Sequence, residues 1–152
     1  MITRPLLDYI VNGLEAGPRV QASLLAHEVD WDRRPDPDRF SLREMVAHLA
    51  DWEDIWAGRV HRFLTEEHPM LESIDEGKIA AERDYATQDP RANLARYAAG
   101  RETLVANLRA LPIEAWARTG HRQFVGDLTL FELAALIAGH DNYHLKQTVD
   151  FL

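Results

Sequence analysis

The sequence predicts an all-α protein, specifically an up-down four-helix bundle. Four long stretches repeat apolar residues at helical spacing, and segments rich in Pro, Gly and Asp separate them. No stretch alternates apolar and polar residues with the two-residue period of a strand. With 152 residues the chain has the length of one ordinary domain, read here as a single domain over 1–152. That length can bury a substantial core without covalent staples.

The first helix is expected from Thr3 to about His27. Thr3 stands at the cap, and Pro5 is tolerated in the first turn. Leu6, Leu7, Ile10, Leu14, Val20, Leu24 and Leu25 supply the apolar stripe. Pro18 lacks a backbone donor, so a kink is expected there. WDRRPDPDRF then reads as a loop. The second helix opens at SLRE, where Ser41 and Glu44 have the spacing of a capping box, and ends near Glu67. Pro69–Gln88 reads ambiguously, with room for a short extra helix around Gly77–Arg83. Asp89 caps the third core helix, Pro90 takes its first position, and Pro112 closes it. A loop with Trp116, Gly120, His121, Phe124 and Gly126 leads to TLFE, a second capping box on Thr129 and Glu132. The last helix runs to about Phe151.

Composition narrows the function classes. Apolar residues at 46% and charged residues at 28% fit a soluble globular chain. A net charge of −8, with no long Lys/Arg run, gives no electrostatic grip on phosphate backbones, so nucleic-acid binding is disfavoured. The lack of cysteine excludes disulfides, thiolate metal ligands and a cysteine nucleophile, and suits a reducing compartment. No apolar run approaches the roughly 20 residues that cross a bilayer. Asp8 interrupts the N-terminal apolar stretch, and no cleavage site follows. The expected location is cytoplasmic, with no membrane partner.

The candidate chemistry lies in the histidines. GHDNYH places His140 and His144 one turn apart on the last helix, on the face that carries Leu133, Leu136, Ile137 and Phe151. His48 lies at the edge of the stripe formed by Met45, Leu49, Trp52, Ile55 and Trp56. Three inward imidazoles from two helices would make a His₃ metal site with a position left open for water or substrate. Hydrogen-bonded core histidines are the competing reading, and spacing alone leaves both open. Asp51 and Asp141 could each accept an imidazole N–H, although a surface charge is the favoured reading of both. Trp52, one turn from His48, is a pocket-wall candidate, with core packing the alternative. His121 could approach from the loop. Tyr97 and Arg101 share a face that could reach substrate, or simply pack. His27, His61 and His68 read as solvated.

FSLREMVAHLADWE and GDLTLFELAALIAGHDNYHLKQ resemble the DinB-like family, which includes YfiT-type metal-dependent proteins; the resemblance extends from about Leu6 to Leu152. RTGHRQFVG, with His121, resembles the family's approach to the last helix. The resemblance implies an up-down four-helix bundle that often dimerises. It also implies a divalent metal, commonly zinc or nickel, on the positions of His48, His140 and His144. Family activities include transfer to low-molecular-weight thiols and a mycothiol-dependent isomerisation. Three functions stay open at this point. The first is a metal-dependent transferase using a small thiol, which must bring its own sulfur. The second is a metal-dependent hydrolase. The third is a non-enzymatic metal-binding stress-response protein.

Overall fold

A computed structural model describes residues 2–152. Among them are helices α1 (Arg4–Leu24), α2 (Leu42–Thr65), α3 (Glu76–Glu82), α4 (Pro90–Arg109) and α5 (Leu130–Phe151), and strands β1 (Met70–Leu71), β2 (Thr119–Arg122) and β3 (Gly126–Thr129). Short 3₁₀ turns cover Tyr85–Thr87 and Ile113–Ala117. No helix among the described residues is long and apolar enough to cross a membrane.

Both capping boxes form. The Ser41 hydroxyl accepts from the Glu44 N–H while the Glu44 carboxylate accepts from the Ser41 N–H, and Thr129 and Glu132 repeat the exchange. Asp89 caps α4 through the Arg91 and Ala92 N–H groups, with Pro90 just inside. Thr3 occupies the cap position of α1, but its side chain makes no capping bond. The helix continues through Pro18, which is buried, and stops three residues before His27. The short helix between the second and third core helices forms as α3, capped by Asp75.

The protein is not purely all-α. β1 pairs parallel to β2, and β2 pairs antiparallel to β3. Strands of two to four residues carry too few positions to show a period of two, so this sheet left no alternation to read. Gly120 lets β2 lie against α2: a Cβ there would stand 2.7 Å from the Phe63 ring and 3.0 Å from the Pro69 carbonyl oxygen.

Helix direction also departs from simple alternation. Contacts between α2 and α4 climb both helices together, from Asp51–Arg96 to Glu53–Arg101, so these two run parallel. α1 and α5 are parallel as well, with Gly17 against Asp141 and Gln21 bonded to Thr148. α1 and α4 are antiparallel, since Arg91 reaches Leu25 whereas Arg109 reaches Asn12. The order around the bundle is α1–α4–α2–α5, which sets sequence neighbours α1 and α2 on a diagonal. A parallel neighbour requires the chain to return along the bundle. Residues 66–89, which include β1 and α3, make that crossover.

Among the described residues the core has two main apolar regions and a third, minor group of Leu49, Ala50 and Tyr97. The larger unites Leu7, Val11, Leu14, Trp52, Trp56, Phe63, Leu104, Leu108, Leu133 and Ile137 with Leu71, Trp116 and Leu128 from the sheet side. The smaller gathers Leu25, Leu42, Met45, Val46 and Phe151 at the other end. Between them along α2 and α5 lies a layer of buried polar side chains.

Candidate metal centre

His48, His140 and His144 meet in that polar layer. The antiparallel pairing of α2 and α5 sets His48 opposite the last-helix pair, and one helical turn stacks His140 beside His144. The Nε2 atoms of His48 and His140 are 2.9 Å apart, and those of His140 and His144 are 3.2 Å apart. All three rings offer a nitrogen within 4.8 Å of the others. His48 and His144 are buried, and His140 is half-buried.

Protons cannot satisfy this arrangement. The Gln147 amide N–H₂ donates to the Tyr143 hydroxyl, which turns Gln147 Oε1 toward His144 Nδ1 at 2.7 Å. His144 Nδ1–H therefore donates to Gln147, and His144 Nε2 presents a bare lone pair. The 2.9 Å contact leaves room for one proton at most between His48 and His140. At least two lone pairs thus point into one small region, while the Nδ1 atoms of His48 and His140 are buried without partners.

Burial also keeps the rings neutral. Desolvation, followed by the neighbouring histidines, depresses His48 to about 3 and His140 to about 2. Desolvation brings His144 to about 4 against the opposing Gln147 bond. Neutral imidazoles are the form that coordinates metals. Two nitrogens bound to one tetrahedral zinc at about 2.0–2.1 Å would stand about 3.3 Å apart. The donor set and its spacings fit a divalent cation.

Aromatic rings wall the cluster. Trp52 lies 4.2 Å from His48 at a 31° tilt and nearly parallel to His140, and it also belongs to the apolar core. Trp56 meets His140 edge-on at 5.7 Å. Phe40 and Tyr143, which the sequence did not single out, flank His48 and His144. Nor did Gln147 stand out, although its position three residues after His144 on the same face was a usable signal.

The two neighbouring aspartates are neither surface charges nor imidazole partners. Asp51 is 2% exposed and accepts from the Tyr85 hydroxyl at 2.7 Å, with Arg83 and Arg96 at 2.8 and 2.9 Å. Burial opposes its ionisation, but these donors hold the carboxyl below its usual range. Asp141 faces away from the imidazoles, into a buried cluster with Arg101, Glu53 and Tyr97. Arg101 donates five hydrogen bonds, two to Glu53, two to Asp141 and one to the Leu14 carbonyl. Burial alone would depress its pKa, but the two carboxylates hold it above the ordinary arginine range. Gly17 makes room for this cluster, since a Cβ there would stand 2.7 Å from Asp141 Oδ2. Tyr97 and Arg101 therefore pack inside the bundle and do not reach outward. His121 lies on β2, half-exposed, and pairs with Asp127 at 2.7 Å, away from the three imidazoles' hydrogen bonds. His27 and His61 are exposed, and His68 is exposed with bonds to Thr119 and Asp127.

A sequence model of the DinB superfamily matches residues 20–148. Among solved structures, YfiT from Bacillus subtilis aligns with a TM-score of 0.90 at 24% identity, over 99% of this chain and 88% of its own. It is described as "a probable metal-dependent hydrolase with an unusual four-helix bundle topology". The mycothiol-dependent maleylpyruvate isomerase aligns with a TM-score of 0.75 at 16% identity, over 95% of this chain and 60% of its own. This chain thus spans less than two thirds of the isomerase. At these identities the likeness establishes the fold. No curated protein sequence matches the chain.

Proposed function

We propose that this chain, which belongs to the DinB superfamily, binds a divalent metal, zinc or nickel, through His48, His140 and His144 and is a metal-dependent transferase acting with a low-molecular-weight thiol. The observation that carries the reading is the convergence of three neutral imidazoles from two helices far apart in sequence, with at least two Nε2 lone pairs aimed into one small region. A divalent ion held there supplies a Lewis acid that lowers the pKa of a small molecule's thiol or of water.

The chain's own residues favour the thiol. Hydrolysis at such an ion is commonly assisted by a carboxylate free to move protons beside it. Asp51 and Asp141 are the carboxylates next to the histidines in sequence, and arginines and tyrosines occupy both. A thiol needs no such base once it is held as a thiolate. The likeness to a thiol-dependent isomerase supports the same choice, whereas the description of YfiT supports hydrolysis as the second reading. Gln147 fixes the His144 tautomer so that Nε2 faces the site. Trp52 and Trp56 pack against the imidazoles and keep water from their flanks.

The test begins with metal analysis of untagged protein, followed by cobalt substitution. His144→Ala is expected to lose the metal yet keep its helical circular dichroism, because the apolar regions on either side remain intact. Full metal occupancy in that variant would refute the ligand assignment. A sulfur-to-cobalt charge-transfer band on adding a thiol supports the transferase. Ester or amide turnover without any thiol would favour the hydrolase.

A further inference from the structure

Beside the imidazoles is a group of hydrogen-bond donors with nothing to donate to. Arg59 on α2 is 7% exposed, and its Nη1 is buried without a partner. Its guanidinium lies 5.0 Å from the centre of the Trp56 ring, and that of Arg122, at the end of β2, lies 6.0 Å from the same ring. Trp56 Nε1–H is likewise buried and unpartnered. The other face of this architecture is the centre itself, since Trp56 contacts His140 edge-on.

Among the described residues no carboxylate comes within 4 Å of either guanidinium; Glu72 accepts from Arg59 through its backbone carbonyl, at 3.2 Å, and the Glu72 and Glu76 carboxylates act on Arg59 and Arg122 only through their charge, without direct contact. Burial, then the charge of Arg122, pull Arg59 down to about 10 against the opposing charge of Glu72, so Arg59 remains cationic at neutral pH. A buried donor left without a partner destabilises the fold, and a buried charge does so more. All the unsatisfied groups are donors, so their complement is a pure acceptor, and a carboxylate offers two oxygens that match a guanidinium fork.

We propose that Arg59, Arg122 and Trp56 Nε1 form a subsite for the carboxylate of the substrate, one aromatic ring away from the metal centre. The proposal deepens the function given above and rests on it for the word substrate; the anion site itself stands on the orphaned donors alone. It also gives the small sheet a purpose, because pairing of β2 with β1 is what brings Arg122 over Trp56.

The experiment follows the Trp56 indole N–H resonance in ¹⁵N-labelled protein titrated with propionate, with and without metal. The expected result is a saturable shift at concentrations on the order of millimolar. Arg59→Met and Arg122→Met should each weaken it about 10- to 100-fold, and Arg59→Lys should retain part of it. Arg122 is half-buried at a strand end, so its variant is expected to fold even if Arg59→Met does not. No saturable shift, or equal shifts in wild type and Arg122→Met, overturns the subsite. A second arm separates the two proposals. On cobalt-substituted protein, 3-mercaptopropionate should bind more tightly than 2-mercaptoethanol, and Arg122→Met should erase that advantage without changing the neutral thiol. If neither thiol perturbs cobalt while propionate still shifts Trp56, the transferase reading fails and the anion site survives.

Discussion

Arg101→Met should cost this protein a large share of its stability, and the loss should depend on pH in a defined direction. Arg101, Glu53 and Asp141 have side chains only 2%, 3% and 4% exposed. Solvent therefore cannot take over the guanidinium's five hydrogen bonds. Methionine approximates its length but leaves two carboxylates buried with no cation. Removing one partner from a buried ion pair costs about 3–5 kcal/mol, against a total of about 5–15 kcal/mol for a typical domain. At about 2–4 °C per kcal/mol for a chain of this size, the melting temperature should fall by about 6–20 °C. Burial already raises the Glu53 carboxyl, with Arg101 opposing. Without Arg101 it should rise further. A group whose folded pKa lies above its unfolded value favours the folded state when protonated, so the deficit should be full near pH 8 and shrink as pH falls toward about 4.3. Thermal melts of both proteins across that range measure it. Adding Glu53→Gln and Asp141→Asn to Arg101→Met should recover most of the loss at pH 8. A drop under 2 °C, a deficit that stays constant with pH, or a triple variant no better than the single would refute the argument.

Three further outcomes are expected. Asp51→Asn weakens the anchorage of the Tyr85 turn to α2. Because Arg83 and Arg96 are about half exposed, the cost in urea denaturation should be modest, about 1–2 kcal/mol. The carboxyl is held low in the folded state, so this difference should be present at neutral pH and vanish as pH falls below about 4. Gly120→Ala drives a methyl into the Phe63 ring and the Pro69 carbonyl. It should destabilise by about 1–3 kcal/mol, and an unchanged denaturation midpoint would show that β2 can move away. His140→Ala should abolish cobalt binding as His144→Ala does, and retention of the cobalt spectrum would mean that two imidazoles suffice.

What the sequence disclosed follows from how local each interaction is. Ser41–Glu44 and Thr129–Glu132 are contacts over three residues, and both capping boxes form as read. The i,i+4 spacing of His140 and His144 placed them on one face, and the stripe around His48 turned it inward. The partners of Asp51 and Asp141 were illegible, because Tyr85, Arg96 and Arg101 lie 34 to 45 residues away in sequence. A charge with no visible partner reads as solvated, and here both are buried. Helix direction was hidden for a similar reason. The long segment 66–89 is compatible with either neighbour, and only packing selects the parallel one. Arg59 and Arg122 passed unnoticed because β1 and β2 are too short to announce themselves, and without that pairing nothing links residue 59 to residue 122.

The antiparallel α2–α5 pair has a consequence for the order of events on the ribosome. His140 follows His48 by 92 residues, so the ribosome makes a long stretch of chain between the two. Of the three converging imidazoles a nascent chain displays only His48 until α5 is made, so an ion cannot join the two helices early. Loading must wait until α5 has docked against α2, which makes the ion a late addition to a bundle that its apolar core has already assembled.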